Sequence, residues 1–350
     1  MALSQIHFKW NPNPPPPPNS FKGQAAVVTG GTGGLGLASA IHLVNLGADE
    51  VIITSRDPSR ANKALETLEK ETGGRSKGVV RILPLNMNSY TSVVGLVEEV
   101  KKIRPGKGGV DFVLLNAGCV AVEYKAVDEG WDQMVQVNVL STALIGLLLL
   151  PWLKAERVNR PSPSHITIVG SGTHTAINPR TWDGYITKEG GVLAHFREPK
   201  NWSGSDGMYG STKLMAHYAA AELAKLAKGP DNRPKVIINT TCPGVVRTEL
   251  ARDFTANSRL MAIGVSIFYA LQGKTPEQGA RTLMAAGMTK ENENGKFIKF
   301  YGSEADYKKP LEALFTSERG SRIQASVWSE ITGELSAKVP AAATALRELA

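Results

Sequence analysis

Short apolar runs alternate with longer amphipathic stretches along most of the chain. The short runs are rich in Val, Ile and Thr and predict buried strands at residues 25–29, 51–54, 79–85, 111–115, 165–169, 235–241 and 296–301. The longer stretches have apolar residues at helical spacing and predict helices at residues 36–46, 60–72, 90–103, 129–150, 209–228 and 276–288. The alternation predicts an α/β fold, a doubly wound parallel sheet of about seven strands with helices on both faces.

Two regions break this alternation, residues 172–208 and the chain after Gly302. Both are predicted to be irregular, and long irregular spans in a compact domain are typical of lids or binding loops. We expect residues 172–208 to form a lid-like insertion on the substrate side, an oligomer surface, or an insertion packed on the sheet edge. The aromatic side chains of this span would suit a bulky apolar ligand, and its conspicuous rings are Trp182, Tyr185, Phe196, Trp202, His174 and His195.

No Ser/Gly-rich linker divides the chain, so we expect one domain over residues 22–350, with substrate-side helices at 250–290. Residues 1–21 are predicted to be a flexible leader, because the run from Pro14 to Pro18 favours a solvated polyproline II conformation. A ligand for a proline-binding module is the alternative interpretation. The leader has no apolar stretch of the kind that secretory signals carry.

Two stretches are apolar enough to be considered as membrane-spanning or membrane-contacting segments, residues 139–153 and 260–271. Each is shorter than the ~20 residues that cross a bilayer, so we expect no transmembrane span and instead buried or interface helices. Peripheral membrane contact through residues 260–271 is the alternative.

Composition narrows the class of protein. The chain is 42% hydrophobic and 21% charged over 350 residues, which is typical of a globular protein. A net charge of +8 favours anionic ligands but is spread too evenly for a nucleic-acid-binding arm. Cys119 and Cys242 are too few for a disulfide framework and lack metal-ligand spacing. We therefore expect no metal and no nucleic-acid partner, and a reducing compartment such as the cytoplasm.

A glycine-rich turn follows the first predicted strand and opens the first helix, with the sequence TGGTGGLG from Thr29 to Gly36. Backbone N–H groups and a helix N-terminus in such a turn can approach a pyrophosphate. The spacing of Gly30, Gly34 and Gly36 is GxxxGxG rather than the commoner GxGxxG. The turn therefore predicts a dinucleotide site, with a purely structural glycine turn as the alternative.

Arg56 follows the second strand, where NAD-binding folds place an acidic residue for the ribose 2′-hydroxyl. A guanidinium there can hold a 2′-phosphate with two parallel hydrogen bonds. This favours NADP(H) over NAD(H). A solvent-facing arginine beside Asp57 is the alternative interpretation.

Tyr209 and Lys213 are four residues apart, so on a helix they share a face. A neighbouring ammonium group stabilises phenolate, and we expect it to lower the pKa of Tyr209 from ~10 and suit the phenol to proton transfer. Ser171 at a strand end and Asn138 in a helical stretch precede this pair.

Six motifs in this order make the sequence resemble the short-chain dehydrogenase/reductase family over residues 22–301. They are TGxxxGxG at 29–36, NAG at 116–118, Asn138, Ser171, YxxxK at 209–213, and PGxxxT at 243–248. Arg56, His174 and the long interval from serine to tyrosine are most similar to the branch of retinol dehydrogenases and protochlorophyllide reductases. Asn86 stands where many members have Asp, and Gly170 where many have Ser.

The resemblance implies a Rossmann-type fold and a role for each catalytic residue. Ser171 would hold a substrate carbonyl oxygen, Tyr209 would protonate it, Lys213 would assist the tyrosine and bind ribose, and Asn138 would support a water that links Lys213 to solvent. The residues expected at the cofactor are Gly30, Thr32, Gly34, Leu35, Gly36, Arg56, Asn86, Met87, Asn116, Ala117, Gly118, Tyr209, Lys213, Pro243, Gly244, Val246 and Thr248.

The function so implied is NADP(H)-dependent reduction of a ketone or aldehyde, or the reverse oxidation of an alcohol. A medium-sized apolar substrate is expected, such as a polyketide or terpenoid intermediate of fungal secondary metabolism. The alternative is a catalytically silent NADP-binding protein. A nucleotide-sugar epimerase is disfavoured, because that branch normally has GxxGxxG. Relatives often use the helix at 139–153 for dimer packing, so a homo-oligomer is expected.

Overall fold

The computed structural model of the chain describes residues 10–248, 269–299 and 304–350. Seven strands form one parallel sheet, as the alternating pattern predicts. They are β1 (Ala25–Val28), β2 (Glu50–Ser55), β3 (Val80–Pro84), β4 (Phe112–Leu115), β5 (Ser164–Val169), β6 (Val236–Cys242) and β7 (Phe297–Lys299). The predicted last strand, 296–301, ends outside the described residues.

The strand order is β3-β2-β1-β4-β5-β6-β7. The chain builds the sheet outwards from β1 to β3, returns to the centre, and continues from β4 to β7, so the order reverses between β1 and β4. Val27 pairs with Ile52 of β2 on one side and with Val113 of β4 on the other. The carboxyl ends of strands at such a reversal form a crevice where doubly wound folds bind ligands.

The six predicted helices lie within about five residues of their predicted positions, with the one expected at 129–150 forming part of the continuous helix Gln133–Asn159, and further helices that were not predicted follow β5 and β7. The α-helices that position the site and surround it are numbered in chain order. They are α1 (Gly34–Asn45), α2 (Pro58–Glu71), α3 (Tyr90–Lys101), α4 (Thr142–Ala155), α5 (Pro179–Glu189), α6 (Val192–Arg197), α7 (Gly204–Leu226), α8 (Pro276–Ala286), α9 (Glu304–Leu311), α10 (Glu318–Lys338) and α11 (Pro340–Leu349).

Local signals in the sequence explain where several helices begin. The Asp57 carboxylate accepts a hydrogen bond from the backbone N–H of Ser59 at 2.8 Å, and Pro58 occupies the first helical position of α2. Helix α8 begins with a reciprocal capping box between Thr275 and Gln278. These caps satisfy backbone donors that a helix leaves unpaired at its start.

The sheet separates two hydrophobic cores. One face packs on α1, α2 and α8, and the other packs on α3, α4 and α7. Strands β1, β2, β4, β5 and β6 are mostly buried, which accounts for their nearly continuous apolar runs, whereas the edge strand β3 is partly exposed.

The prediction of irregular chain at 172–208 and after Gly302 is wrong for the described residues, because both regions are mostly helical. Helices α5, α6, α10 and α11 form what we call the outer helical layer. Helix α10 contacts α5, α6 and α7, and α11 contacts α4. The rings of Trp182 and Phe196 are 3% and 4% exposed and pack into the core, so they do not line a ligand cavity.

The apolar helix around residues 139–153 is longer than its sequence pattern suggests. Within the described residues, one continuous helix, Gln133–Asn159, has the length and composition of a membrane span. Because 94% of its apolar window is buried inside the protein, it has the environment of a core helix. The second apolar stretch, 260–271, lies mostly outside the described residues, as do residues 250–268 of the expected substrate-side helices.

The described part of the leader contacts the domain. Asn13 donates a hydrogen bond to Thr282 of α8, and its backbone carbonyl accepts one from Arg281. The Phe21 ring is 1% exposed and lies 5.7 Å from the ring of Phe112. These contacts seat residues 13–21 against the sheet and α8.

Candidate active site

The glycine-rich turn connects β1 to α1 at the crevice between β1 and β4. Gly30 has a φ of +66°, which favours glycine, and its N–H donates to the Thr54 hydroxyl at the end of β2. A Cβ on Gly36 would lie 2.2 Å from the Gly30 carbonyl oxygen, so only glycine fits there. Gly33 stands at the N-cap of α1, and no side-chain cap is present there among the described residues. The first N–H groups of this helix lie at the crevice, where an anion could accept hydrogen bonds from them.

Asn116 and its neighbours join the end of β4 to this turn. The Asn116 amide donates to the Thr29 carbonyl oxygen at 2.9 Å, and the Thr29 hydroxyl accepts from the N–H groups of Asn116 and Ala117. Asn116 thus supports the glycine turn with its side chain. A Cβ on Gly118 would lie 3.1 Å from the side-chain oxygen of Asn138 and 3.5 Å from Nζ of Lys213, so the bare backbone there passes close to both side chains.

Two arginines lie near the end of β2. Arg56 is exposed directly after the strand. Arg60 on α2 was not singled out by the sequence, yet its guanidinium lies 3.2 Å from the position that a Cβ on Gly33 would occupy. Arg60 therefore borders the glycine turn, and Arg56 follows the strand end whose Thr54 is hydrogen-bonded to Gly30.

Asn86 and Met87 follow the end of β3, at the same edge of the sheet as the glycine turn. The Asn86 side-chain oxygen accepts a hydrogen bond from the backbone N–H of Asn88 at 3.1 Å. Met87 is buried, and its carbonyl accepts from the Ser141 hydroxyl. The local turn uses one acceptor position of Asn86, and an amide oxygen has two.

The loop after β6 crosses over the glycine turn. Gly244 follows Pro243 and has a φ of +75°, and Val246 pairs with Lys274 in an isolated bridge. A Cβ on Gly34 would lie 3.3 Å from the methyl group of Thr248. The predicted cofactor residues on this loop are therefore adjacent to those on the glycine turn, which also include Thr32 and Leu35.

Ser171 lies just beyond the end of β5. Its hydroxyl accepts hydrogen bonds from the backbone N–H of Thr173 at 3.3 Å and from the Thr173 hydroxyl at 3.0 Å. Its carbonyl oxygen is 2.6 Å from Nδ1 of His174. The serine is thus fixed by the turn that follows it.

Tyr209 and Lys213 project from the first half of α7 towards the ends of β4 and β5. Lys213 is 6% exposed, and its ammonium donates to the carbonyl oxygen of Val169 at 2.8 Å. The same ammonium lies 5.5 Å from the centre of the Tyr209 ring. The Ser171 side chain is hydrogen-bonded to the Tyr209 phenol, and this bond lowers the pKa of the phenol. The predicted tyrosine, lysine and serine therefore converge.

Asn138 lies in a π-helical segment, Gln136–Ser141, that precedes α4. Its side-chain oxygen accepts from the backbone N–H of Cys119, and its amide donates to the Cys119 carbonyl and to the Thr212 hydroxyl, at 2.9–3.1 Å. Segments of this kind are frequent at functional sites because they displace a side chain from regular helical spacing. The Asn138 side chain ties the chain after Gly118 to the helix that carries Tyr209.

Burial reverses the pKa direction predicted for the tyrosine. It raises the pKa of Tyr209 above its usual value, and hydrogen bonding from Ser171 only partly opposes the rise. Burial also lowers the pKa of Lys213 from 10.5 to about 8, and the nearby Cys119 and Cys242 side chains only partly oppose the fall. Desolvation exceeds the influence of the ammonium because both groups are enclosed. The phenol is therefore protonated at neutral pH.

Three further residues belong to this constellation, and the sequence analysis missed them. Thr212 links Asn138 to the Tyr209 carbonyl, Thr173 supports Ser171, and Arg60 reaches the glycine turn. Thr212 and Thr173 each stand within three residues of a motif residue, which was the available signal. Arg60 lies in the first turn of α2, four residues after Arg56, and had no comparable signal.

We call the C-terminal ends of β1, β4, β5 and β6, with the residues gathered there, the catalytic edge. The crowded Gly36 and the uncapped start of α1 fit a pyrophosphate, which approaches only bare backbone. A protonated phenol beside a serine hydroxyl can bind a carbonyl oxygen and transfer a proton to it. The residues present thus fit a nicotinamide dinucleotide next to a carbonyl-binding pair.

Comparison with known proteins supports the same conclusion. The family model described as short chain dehydrogenase matches residues 24–176. The short-chain dehydrogenase/reductase ffsI of Aspergillus flavipes is 32% identical over 335 residues, which cover 95% of this chain and 92% of that protein. The short chain dehydrogenase/reductase mfmJ of Annulohypoxylon moriforme is 31% identical and covers 93% and 89%, respectively.

Two solved structures illustrate the similarity of fold between this chain and known proteins. A Pseudomonas aeruginosa RhlG/NADP active-site complex has a TM-score of 0.57 and 22% identity, covering 81% of this chain and 97% of the other. An NADPH-bound short chain oxidoreductase from the same species, described as containing an atypical catalytic center, has a TM-score of 0.55 and 20% identity, covering 79% and 94%. At these identities the likeness concerns the fold alone.

Proposed function

Because the chain belongs to the short-chain dehydrogenase/reductase family of nicotinamide-dependent oxidoreductases, we propose that it is an NADP(H)-dependent reductase of ketones or aldehydes. NADPH supplies the hydride in such a reaction. The residues expected to bind it are those of the glycine turn, Arg56, residues 86–87 and 116–118, and the loop from Pro243 to Thr248. The reverse oxidation of an alcohol uses the same groups.

The proposed catalytic roles follow from the contacts at the catalytic edge. Ser171 and Tyr209 bind the carbonyl oxygen of the substrate, and Tyr209 donates its proton to that oxygen as negative charge develops there. The raised pKa of Tyr209 keeps the proton available at neutral pH. Lys213 holds its ammonium beside the phenol through its bond to Val169. Asn138 positions the backbone at Cys119 and the start of α7.

One observation carries this proposal: Ser171, Tyr209 and Lys213 meet at the same strand ends that border the glycine turn. The test is the consumption of NADPH with a panel of carbonyl compounds, comparing wild type with Tyr209→Phe. We expect Tyr209→Phe to lower kcat by about 10²-fold to 10⁴-fold, because the proton donor is lost. NADPH binding should remain.

Tyr218→Phe is the matched control, since Tyr218 lies on the same helix and donates to the Leu314 carbonyl away from the catalytic edge. Substantial turnover by Tyr209→Phe would overturn the proposal. Wild type that binds NADPH but reduces no carbonyl would instead favour the catalytically silent alternative.

We propose that Arg56 and Arg60 together select NADP(H) over NAD(H). The Arg60 guanidinium borders the glycine turn, and Arg56 directly follows β2, whose Thr54 is hydrogen-bonded to Gly30. Such guanidinium groups pair with a 2′-phosphate. Replacing either by Ala should weaken NADPH binding by roughly 10-fold to 100-fold and leave NADH binding almost unchanged. Lys63→Ala, an exposed charge on α2, is the control. Equal weakening of the two coenzymes would contradict the assignment.

The proposed substrate is a medium-sized apolar carbonyl compound, such as a polyketide or terpenoid intermediate of secondary metabolism. Ile177 supports an apolar substrate, because this partly buried side chain packs beside Gly210, next to Tyr209. The fungal origin of the two relatives supports the setting. A panel graded in size and polarity tests the class, and a preference for small charged carbonyls would contradict it.

The proposal for association differs from the sequence expectation. Helix α4 was expected to pack against a second copy, but α11 and α3 of the same chain contact it. We therefore propose that α4 does not mediate association, and light scattering of the purified protein tests this. We also propose a cytoplasmic location, because neither Cys119 nor Cys242 forms a disulfide within the part of the chain that the structure describes. Membrane contact through residues 260–271 stays a prediction.

A further inference from the structure

A buried hydrogen-bonded path joins the catalytic serine to the C-terminal part of the chain. His174 is 1% exposed; Nδ1 of its ring is 2.6 Å from the carbonyl oxygen of Ser171, and Nε2 is 2.9 Å from the hydroxyl of Tyr307 on α9. Ser171 and Tyr307 are far apart in sequence, so only the fold creates this path.

The chemistry of the two bonds determines how the imidazole is protonated. A carbonyl oxygen can only accept, so Nδ1 of His174 must carry the hydrogen. In the neutral ring Nε2 then has a free lone pair, and the Tyr307 hydroxyl donates to it. Burial lowers the pKa of His174, which keeps the ring neutral. The two bonds therefore support a single tautomer in one orientation.

Aromatic rings hold the imidazole in this orientation. Phe297 at β7, His217 on α7 and Phe315 lie with ring centres 4.9–6.3 Å from His174, each with a steep interplanar angle. The ring of Tyr307 itself packs against Phe297 at 5.3 Å. Because the ring is surrounded, a loss of either hydrogen bond cannot be replaced readily by water.

The Ser171 carbonyl is where this path meets the catalytic edge. The ladder between β5 and β6 ends at Val169, and Ser171 adopts an extended conformation beyond it. Its carbonyl also accepts the His174 backbone N–H, at 3.4 Å. The Nδ1 bond is shorter and constrains the peptide plane that follows the serine. Restricting this plane limits the backbone conformation of Ser171 and so the position of the Cα–Cβ bond that carries the hydroxyl hydrogen-bonded to Tyr209.

We propose that His174 and Tyr307 are positioning residues that orient Ser171 through its backbone carbonyl, an inference that rests on the proposed reductase activity. Tyr307 orients the imidazole, and the imidazole orients the serine. The path couples α9 to the carbonyl-binding hydroxyl.

The test compares variants that remove one bond at a time. An asparagine amide can occupy the place of Nδ1 but does not reach Tyr307. We expect His174→Ala to lower kcat about tenfold, and His174→Asn and Tyr307→Phe to lower it about threefold each, all with unchanged KM for NADPH. In the His174→Asn background, Tyr307→Phe should have no further effect, because the path is already broken.

Tyr218→Phe is the control for a merely structural effect. It removes a buried phenol hydrogen bond beside Phe315 without touching His174. The proposal would be supported if kcat falls less in His174→Asn than in His174→Ala and does not change in Tyr218→Phe. An equal loss in Tyr218→Phe and Tyr307→Phe, or an undiminished effect of Tyr307→Phe in the His174→Asn background, would overturn it.

A second measurement needs no turnover and so separates this proposal from the proposed function. Nitrogen NMR of histidine-labelled protein, with the His174 signals assigned by their loss in His174→Asn, should show a protonated Nδ1 and a bare Nε2. Tyr307→Phe should shift the Nε2 signal. A protonated Nε2 in wild type would overturn the path even if the enzyme reduces carbonyls. A wild type without reductase activity but with the expected tautomer would overturn only the proposed function.

Discussion

The catalytic edge and the outer helical layer each withdraw a charged group from water, and they stabilise it differently. Lys213 at the catalytic edge has one hydrogen-bond acceptor among the described residues, the Val169 carbonyl. Glu330 in the outer helical layer accepts from three backbone N–H groups at the start of α6, those of Val192, Leu193 and Ala194. A carboxylate at a helix N-terminus also interacts favourably with the helix dipole.

The difference shows which region favours stability and which favours chemistry. Burial lowers the pKa of Lys213 to about 8, so its positive charge costs folding free energy at neutral pH. Burial raises the pKa of Glu330, but its three N–H donors and Ser326 oppose the rise. The catalytic edge thus keeps a poorly compensated charge where a reaction needs it, as enzymes often do. The outer layer partly compensates its charge and packs on α4 and α7.

Gly36→Ala should have the largest effect and tests how tightly the catalytic edge is packed. The new Cβ would lie 2.2 Å from the Gly30 carbonyl oxygen, and backbone atoms cannot move aside easily. We expect NADPH affinity to fall by more than about 100-fold and stability by about 3 kcal/mol. Fluorescence titration with NADPH and urea unfolding measure the two effects. Gly95→Ala, in open space on α3, is the control.

Lys213→Met should remove activity and yet stabilise the fold at neutral pH. Between pH about 8 and 10.5 the unfolded lysine holds a proton that the folded one releases, so the stability of wild type rises with pH across this window. We expect the variant to be more stable by about 2 kcal/mol at pH 7, with the advantage lost near pH 10.5. Chemical denaturation at several pH values measures this. Parallel stability profiles of the two proteins would contradict the cost assigned to the buried charge.

Glu330→Ala tests the compensated charge of the outer layer. It leaves the N–H groups of Val192, Leu193 and Ala194 without their acceptor, and we expect a loss of about 1–2 kcal/mol. Urea unfolding measures the loss, while the KM for NADPH should not change because the site lies elsewhere. Glu348→Ala on the exposed side of α11 is the control. If Glu330→Ala loses no more stability than the control, the hydrogen bonds to Glu330 do not stabilise its charge, and the contrast with the poorly compensated Lys213 ammonium is wrong.

Gly333→Ala should have the smallest effect and the opposite sign to Gly36→Ala. Gly333 is exposed within α10, and an added Cβ would meet no heavy atom within 4 Å. Alanine favours the helix by about 0.5–1 kcal/mol, so thermal unfolding should move to higher temperature. A destabilised protein would mean that the outer layer is packed as tightly as the catalytic edge.

The sequence predicted the sheet well because its information is local. Each buried strand has its own run of β-branched and apolar residues, and each glycine or cap acts within a few positions, as Asp57 does for α2. The helices of the outer layer were missed although α10 buries Ile323, Val327, Ile331 and Leu335 at four-residue spacing. No strand follows these residues, so the alternation that identified the other helices was absent.

The chain's amino-acid sequence by itself determined the α/β class, the parallel strands, the family motifs and the residues to expect at the catalytic edge. Tertiary structure alone decided how those groups behave. Whether the pKa of Tyr209 rises or falls depends on how much water is excluded around it, which no motif states. The contact between His174 and Tyr307 joins positions 133 residues apart. Burial and long-range contacts are properties of the whole packed chain, and a local pattern cannot encode them.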